Sequence, residues 1–526
     1  MLMVKGLLKI PPGGRFCNDA ARDRVRWGPA RIPRPPAKTL ALRSPQTNTM
    51  ALRTWIFILL SLPAVILSAQ EADDYRIEVD ITGYEEDILT LGYYMMDKQY
   101  IVDTAARSEA GTFVFSSDSA GLNPGIYLVV LSPDNNYFEI LVDTASEQHF
   151  TVHTQVNDLA GVQVEGDRPN ELFYEYLGFI RKMQLESQPL REAIADTTLA
   201  PALVAQNREK LVAMDARVKA FQQELIAREP DAFVSTIIKM NQQPEPPTFE
   251  DAPEGDDRNR LQWRWLQNHY FDGVDLGDPR LVRTPFLFSR VDYYVNSLQV
   301  RHPDTLGKAI DNVLARLDPL SEAYRMLVVH YTNEAATSNL VGMDALYVHM
   351  VDGYYRDGKA HWADEEQIGK MVDNADRLAP LLIGKRAPDL NMTRRDGTPT
   401  TLYDVDAAYT VLYFWRYDCP ACKKSTPYMK EFFEKYAEQG VKIFSVCTKG
   451  AEEIGECWDY VDEQGTGDWI QVADPYQRFY KAYDIKSTPS IFLLDRDKNI
   501  VSKRIGAEQL DEVMQGFLQQ AQAAGK

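Results

Sequence analysis

The sequence predicts a multidomain protein with an N-terminal antiparallel β-sandwich, an α-helical middle domain and a C-terminal α/β domain. At 526 residues the chain is too long for a single hydrophobic core. Apolar residues alternate from Tyr75 to about Val156, follow a helical period between Asn170 and Ile383, and after Gly384 lie in strands that alternate with helices. The expected domains are therefore 70–165, 166–380 and 381–526.

Composition and charge limit the class of protein. With 45% hydrophobic and 25% charged residues, the chain reads as ordinary globular protein. Its formal net charge of -19 disfavours binding to nucleic acid or to an anionic lipid surface, because phosphate groups are repelled by that field. We therefore expect no nucleic-acid partner.

The N-terminal 69 residues have the pattern of an export signal preceded by an unrelated stretch. Residues 1–49 hold ten Lys or Arg against two Asp. Met50 then opens a segment with an apolar run at 55–67 and small residues at 68–69, which is typical of a secretory signal peptide over 50–69. The run is shorter than the roughly 20 residues of a membrane span, so no stable membrane insertion is expected. We expect translation to start at Met50, residues 1–49 to be no part of the protein, and the mature chain to lie in the periplasm or cell envelope.

The first domain is predicted from short alternating runs such as 76–81, 112–115 and 126–131. Turn-forming residues at 123–125 and 132–135 separate them, as in an antiparallel β-sandwich or a small barrel. This part contains no catalytic pattern.

The middle domain is predicted from apolar residues at helical spacing, of which Leu211, Met214 and Val218 are an example. A proline- and acid-rich interval, 243–257, is expected to be an exposed loop. The aromatic residues between 263 and 294 are assigned to packing, since large aromatic side chains in helices are most often buried.

The last quarter of the chain holds every cysteine that export would leave: Cys419, Cys422, Cys447 and Cys457. A disulfide-stapled scaffold would spread its cysteines, so this clustering favours redox chemistry. The elements predicted around them are a strand at 410–415, a helix at 419–439, a strand at 441–447 and a helix at 451–464.

Cys419-Pro420-Ala421-Cys422 therefore stands where a strand ends and a helix begins. Free N–H groups and the helix dipole favour a thiolate at that position, which predicts Cys419 as the exposed attacking thiol. Cys422, one turn inside the helix, is predicted to resolve the mixed disulfide.

A zinc half-site and a purely structural bridge are the alternatives. Zinc takes four ligands, typically from two such pairs, and the spare thiols have nine residues between them, so we expect no metal and no cofactor.

Cys447 and Cys457 are expected to be free, buried thiols. With the second helix starting at 451, Cys457 lies about six residues into it and is carried about 9 Å back along the strand direction. Bridged cysteines need Cα atoms within roughly 6.8 Å. A bridge stays possible, but packing as small hydrophobic residues is the commoner role.

The stretch from about 383 to 520 resembles the thioredoxin superfamily, in particular its TlpA/ResA-like envelope branch. The matching features are the opening segment 384–390, the hairpin through 396–397, the strand that leads to the dithiol at 413–419, Pro427 in the first helix, and 487–490 before the apolar run 491–495. The resemblance implies a C-terminal α/β thioredoxin fold with a cis-proline loop.

The resemblance also implies a function. It favours a protein disulfide reductase whose partners are disulfide-containing envelope proteins and a membrane thiol electron donor. Thr488, before the cis-proline Pro489, would face the dithiol and pair with substrate backbone. Trp415, at the family's aromatic position, would belong with them to the substrate-binding residues.

Three positions depart from the family pattern. Asp418 replaces the usual Trp before the first cysteine and adds negative charge beside Cys419. Tyr413 stands where thioredoxins have an acidic proton acceptor, and Ser425 where ResA-like proteins have a Glu. The sequence therefore identifies no proton acceptor for Cys422.

Two other functions compete. A thiol peroxidase of the same fold needs a Thr or Ser three residues before its cysteine, and this chain has Arg416 there. A partner-binding protein could use the α/β domain only for positioning, but the intact dithiol and the Thr488-Pro489 pair disfavour an inactive domain.

Overall fold

The computed structural model describes residues 74–144, 146–253 and 257–524. The predicted signal peptide and the stretch before it lie outside these residues. Within the described ranges, no helix has both the length and the apolar character to cross a membrane.

The N-terminal part is made of two four-stranded sheets. Their orders are β4-β1-β7-β8 and β3-β2-β5-β6. The strands are β1 Tyr75–Thr82, β2 Ile88–Met95, β3 Lys98–Ala106, β4 Phe113–Ser117, β5 Gly125–Leu131, β6 Asn136–Val142, β7 His149–Gln155 and β8 Asp158–Glu165. Alternate side chains of β1, among them Ile77 and Val79, share one core with Leu89 of β2 and Ile140 of β6.

The expectation of a purely antiparallel arrangement is wrong for one pair of strands. β1 and β7 run parallel, with Ile77 opposite Phe150 and Val79 opposite Val152. The chain leaves β1, forms the whole second sheet and β4, and returns beside β1 in the same direction. Such a long-range pairing cannot be predicted from the local alternation of apolar and polar residues. This alternation shows which face of a strand is buried but not which strand lies beside it.

Helices form the middle of the chain and pack on the second sheet. They are α1 Arg168–Ala195, α2 Pro201–Arg228, α3 Phe233–Asn241, α4 Arg258–His269, α5 Pro285–Asp292, α6 Pro303–Leu314, α7 Glu322–Thr337, α8 Asp344–Met350 and α9 Glu365–Leu378. β5 is buried on both faces: Leu128 belongs to the helical core and Val129 to the core between the sheets. The side-chain amide of Asn170 in α1 also bonds both the N–H and the carbonyl of Leu141, at 2.7 Å each. The helical and sheet regions therefore share a continuous apolar packing.

The C-terminal part is a seven-stranded mixed sheet flanked by helices, in the order β10-β9-β13-β12-β11-β14-β15. Its elements are β9 Asn391–Arg394, β10 Pro399–Thr401, β11 Tyr409–Trp415, α10 Pro420–Tyr436, β12 Val441–Cys447, α11 Ile454–Gln464, β13 Ile470–Ala473, α12 Phe479–Ala482, β14 Ser490–Leu494, β15 Ile500–Lys503 and α13 Leu510–Ala524. β11 pairs parallel with β12 and antiparallel with β14. Apolar side chains of β11 enter the cores on both faces, which explains its unbroken hydrophobic run.

This topology brings three segments to one edge of the sheet. Trp415 at the end of β11 lies opposite Cys447 at the end of β12. Phe414 lies opposite Ser490, the first residue of β14, so that the Thr488-Pro489 pair directly precedes the same edge. The turn that leads to Cys419 therefore meets the loops after β12 and before β14.

The expectation of two free thiols at Cys447 and Cys457 is wrong, since the two residues form a disulfide with Cα atoms 6.4 Å apart. The reason is the start of α11, which begins at Ile454 and not at residue 451. Cys457 lies three residues into the helix, and three residues carry it back only about 4.5 Å. The pair therefore falls within the reach of a disulfide.

The C-terminal part is tied to the helical part by a buried ion pair. The Lys503 ammonium group in β15 contacts the Asp344 carboxylate at the start of α8 and donates to the Leu381 carbonyl. Both charged side chains are buried, with 3% and 7% of their surface exposed. Burial lowers the pKa of Lys503, and the neighbouring Asp344 charge partly opposes that shift.

Candidate active site

Cys419 caps the N-terminus of α10. It has extended backbone angles, and its sulfur accepts the backbone N–H of Cys422 at 3.2 Å. That is the place where a Ser, Thr or Asp side chain commonly satisfies a free N–H of the first helical turn. Pro420 follows as the first helical residue, where a missing N–H costs nothing. The local sequence thus holds a sulfur atom at the positive end of the helix dipole.

The environment of Cys419 favours its thiolate. Burial opposes ionisation, but hydrogen bonds from the side chain and backbone of Cys422 outweigh it, so the pKa of Cys419 lies below its ordinary value. The prediction that Cys419 is an exposed thiol is wrong, because only 5% of Cys419 is exposed. The Thr488 carbonyl lies 3.3 Å from its sulfur and accepts the S–H bond of the neutral form.

Cys422 has the opposite character. It is fully buried, as the third residue of α10. Burial, together with the hydrogen bond to Cys419, raises the pKa of Cys422 to about 12. The two thiols are therefore unequal: as pH rises, Cys419 ionises before Cys422.

Thr488 and Pro489 lie beside the dithiol. The bond between them is cis, as the loop resemblance implied, and both residues are partly exposed. The Thr488 carbonyl points at the Cys419 sulfur. A residue in this position has backbone groups within reach of a peptide that approaches Cys419.

Trp415 supports the site from beneath and does not line it. Its ring is buried, its indole N–H donates to the Ser445 hydroxyl at 2.7 Å, and it packs against Tyr460. The predicted substrate contact would require an exposed ring. In this arrangement Trp415 fixes the end of β11, from which the turn to Cys419 starts.

The negative charge of Asp418 is compensated. Lys449 pairs with the Asp418 carboxylate at 3.0 Å and Arg416 pairs with it at 3.3 Å. Slight burial opposes its ionisation, but the hydrogen bond and charge of Lys449 dominate and lower the pKa of Asp418. The negative charge of Asp418, which could oppose ionisation of Cys419, is therefore balanced by two cations.

Lys449 is a residue that sequence reasoning missed. It comes two residues after the end of β12, and the carboxyl ends of adjacent parallel strands meet at one edge of the sheet. A charged residue just past the strand neighbouring the dithiol strand was the available signal.

Neither residue that replaces the family's acidic groups acts as a base at neutral pH. Burial, followed by the charge of a Cys422 thiolate, raises the pKa of Tyr413 above its ordinary value, so its hydroxyl keeps its proton. The Ser425 hydroxyl donates to the Ala421 carbonyl of its own helix at 2.9 Å.

Comparison with known proteins places the C-terminal part of the chain in a family. Residues 382–515 match the Redoxin family. Over 138 residues the chain is 31% identical to thiol-disulfide oxidoreductase ResA of Bacillus thuringiensis (strain Al Hakam). The matched region covers 26% of this chain and 78% of that protein. It is also 31% identical over 106 residues to sporulation thiol-disulfide oxidoreductase A of Bacillus subtilis (strain 168), covering 20% of this chain and 64% of that one.

Among solved structures, a domain of a possible thiol-disulfide isomerase from Cytophaga hutchinsonii is 35% identical to this chain. The match covers 28% of this chain and 99% of that domain, with a TM-score of 0.26. A thioredoxin-like protein from Bacteroides caccae is 19% identical and covers 52% of this chain and 97% of its own, with a TM-score of 0.37. The residues that match the Redoxin family include the start of α10. The chain belongs to the thioredoxin superfamily as a ResA-like oxidoreductase.

Proposed function

We propose that this protein reduces disulfide bonds of other proteins through Cys419 and Cys422. The observation that carries the proposal is the inequality of the two thiols: the pKa of Cys419 is lowered at the helix start, and that of Cys422 is raised by burial. A thiol that ionises readily attacks, and a buried neighbour resolves.

The reaction proceeds in two exchanges. The Cys419 thiolate attacks one sulfur of the substrate disulfide, a mixed disulfide forms, and the other substrate sulfur leaves as a thiolate that takes up a proton. Cys422 then loses its proton and attacks the Cys419 sulfur, which releases the second substrate thiol and closes the Cys419–Cys422 disulfide. Two electrons pass from the dithiol to the substrate. A thiol donor of the membrane would return the protein to its reduced form.

The mixed disulfide itself helps Cys422 to ionise. In the free protein the pKa of Cys422 is raised first by burial and then by its hydrogen bond to Cys419 and by the charge on Cys419. Once Cys419 is bonded to substrate it carries no charge, so the contribution of that charge disappears. Formation of the mixed disulfide thus removes one of the contributions that keep the resolving thiol protonated.

Substrate would bind along the loop before β14. The Thr488 backbone lies beside Cys419 and is partly exposed, so a substrate segment in extended form can pair with it while its disulfide meets the sulfur. We assign Thr488 and Pro489 to substrate binding on this basis.

The proposed location is the periplasm or cell envelope, with cleavage of a signal peptide near Gln70. The sequence pattern at 50–69 supports it. The Cys447–Cys457 disulfide also agrees with an oxidising compartment, since such bonds are rare in the cytosol. N-terminal sequencing of the protein from cells should begin near residue 70, and recovery of residues 1–49 would contradict the proposal.

The proposed domain division is a β-sandwich at 70–165, a helical domain at 166–380 and the thioredoxin-like domain at 381–526. Support comes from β8, which ends at Glu165, from α1, which begins at Arg168, and from the seven-stranded sheet, which starts with β9.

Reduction of insulin by the mature chain tests the function. With dithiothreitol as reductant, the wild type should accelerate insulin precipitation and Cys419→Ser should abolish the acceleration. The matched control is Cys447→Ser with Cys457→Ser, which removes two other cysteines of the same domain and should keep the activity. An inactive wild type with a folded, reduced dithiol would refute the proposal.

A further inference from the structure

The turn before Cys419 is braced by a lysine from the neighbouring strand. Lys449 pairs with Asp418 at 3.0 Å and with Glu453 at 2.7 Å. Its side chain is only 13% exposed, against 40% for Asp418. An ion pair with one partly enclosed member is less screened by solvent than a pair on the open surface.

Lys449 is held in place by contacts on both sides. Thr448 donates its N–H and its hydroxyl to the Trp415 carbonyl, at 2.8 and 3.1 Å. The Lys449 ammonium group lies 5.0 Å from the centre of the Tyr417 ring, and the Tyr417 hydroxyl donates to Glu453 at 3.3 Å. The segment after β12 and the turn after β11 thus form one charged and aromatic cluster.

We propose that Lys449 is a positioning residue for the thiol reaction, which neutralises Asp418 beside Cys419 and holds the Tyr417-Asp418 turn closed. The inference rests on the proposed role of Cys419 as the attacking thiol. Without Lys449, the carboxylate of Asp418, the residue directly before Cys419, would have less compensation, and a like charge disfavours a thiolate.

The other charged groups near the turn do not replace Lys449. Arg416 also pairs with Asp418, but its side chain is about half exposed, where ion pairs contribute little. Glu453 carries the sign of Asp418 and would add to its effect. On the opposite side, Lys486 in the loop before Thr488 is already paired with Asp484 at 2.9 Å.

The test measures the rate of iodoacetamide alkylation of Cys419 against pH in the reduced full-length mature chain. Lys449→Met should raise the midpoint pH of Cys419 alkylation by about half a pH unit to one pH unit, the size expected for one partly screened charge. At a pH below the midpoint the rate should then fall roughly three- to tenfold. Asp418→Asn combined with Lys449→Met should return the midpoint to that of the wild type, and Lys449→Arg should keep it there.

Lys435→Met is the matched control. Lys435 also pairs with a carboxylate, Asp511 at 2.6 Å, and lies 5.2 Å from the Tyr436 ring, but at the far end of α10. It is 16 residues from Cys419, or about 24 Å along the helix. Its loss should leave the midpoint unchanged.

Two results would overturn the proposal. One is an unchanged midpoint in Lys449→Met. The other is a shift that persists when Asp418→Asn is added, because lost packing and not charge would then be responsible. Alkylation needs no disulfide substrate, so a wild type that shows the expected midpoints but fails to reduce insulin would refute the proposed function and leave this inference standing.

Discussion

The sulfur of Cys419 accepts the backbone N–H of Cys422 at 3.2 Å, so the proposed resolving residue stabilises the thiolate of the proposed attacking one. The same short motif therefore sets the reactivity of both thiols. It lowers the pKa of Cys419 through this contact, while burial raises that of Cys422.

This contact predicts how the reduced protein responds to pH. Cys419 should be alkylated by iodoacetamide with a midpoint below that of an unstructured cysteine peptide, which is about 8.5, and Cys422 should stay unmodified until far more alkaline pH. Mass spectrometry of digested samples assigns the modified residue. A midpoint at or above that of an unstructured cysteine peptide, or earlier modification of Cys422, would contradict the assignment.

The same shift predicts a change in stability. Because the folded state lowers the pKa of Cys419, the reduced protein gains stability from this group as pH rises towards the ordinary value. It loses that contribution as pH falls through the folded pKa. Comparing urea midpoints of the reduced wild type and Cys419→Ser across this range isolates the effect. A difference that does not vary with pH would argue against a lowered pKa.

The Cys447–Cys457 disulfide should stabilise the fold and take no part in exchange. It closes a short loop, with a sequence separation of 10, and both cysteines are fully buried. Replacing both by Ala should lower the free energy of unfolding by about 2–3 kcal/mol, as loops of this length suggest. Chemical denaturation under non-reducing conditions measures the loss, and alkylation of Cys419 at low denaturant serves as the control that the site is intact. Equal stabilities would show that the bridge does not constrain the chain.

The buried pair between Lys503 and Asp344 should hold the C-terminal part against the helices. Lys503→Met leaves Asp344 buried without its cation, which costs about 3–5 kcal/mol in comparable sites. Adding Asp344→Leu removes the uncompensated charge, so the double variant should be more stable than Lys503→Met alone. Thermal denaturation of the three proteins compares them. A double variant less stable than Lys503→Met would mean that packing and not charge dominates here.

Local patterns in the sequence predicted the elements that carry the site, and contacts between distant segments stayed hidden. The hydrophobic run of β11 and the Cys-Pro-Ala-Cys motif placed Cys419 at a helix start, since both signals are contained in a few neighbouring residues. The Cys447–Cys457 bridge was missed because it depended on a helix start three residues later than expected. Shifts of that size are within the ordinary uncertainty of helix ends.

The pairs that join remote parts of the chain had no local signal at all. Lys503 and Asp344 are separated by 159 residues, and the parallel contact of β1 with β7 spans the whole second sheet. Alternation and helical spacing identify a buried face but not the surface that covers it. Lys449 had a local signal for its position, because it follows directly after the predicted strand β12. Its pairing with Asp418 had no such signal.

The most direct test of the account is the covalent intermediate formed by Cys422→Ser. With the resolving thiol gone, Cys419 should still attack, so a disulfide-containing protein such as insulin should remain attached as a mixed disulfide. Non-reducing electrophoresis and peptide mapping should find the adduct on Cys419, and it should disappear on reduction. The account predicts accumulation in Cys422→Ser and none in Cys419→Ser. Adducts on Cys422 in Cys419→Ser, with none in Cys422→Ser, would contradict it.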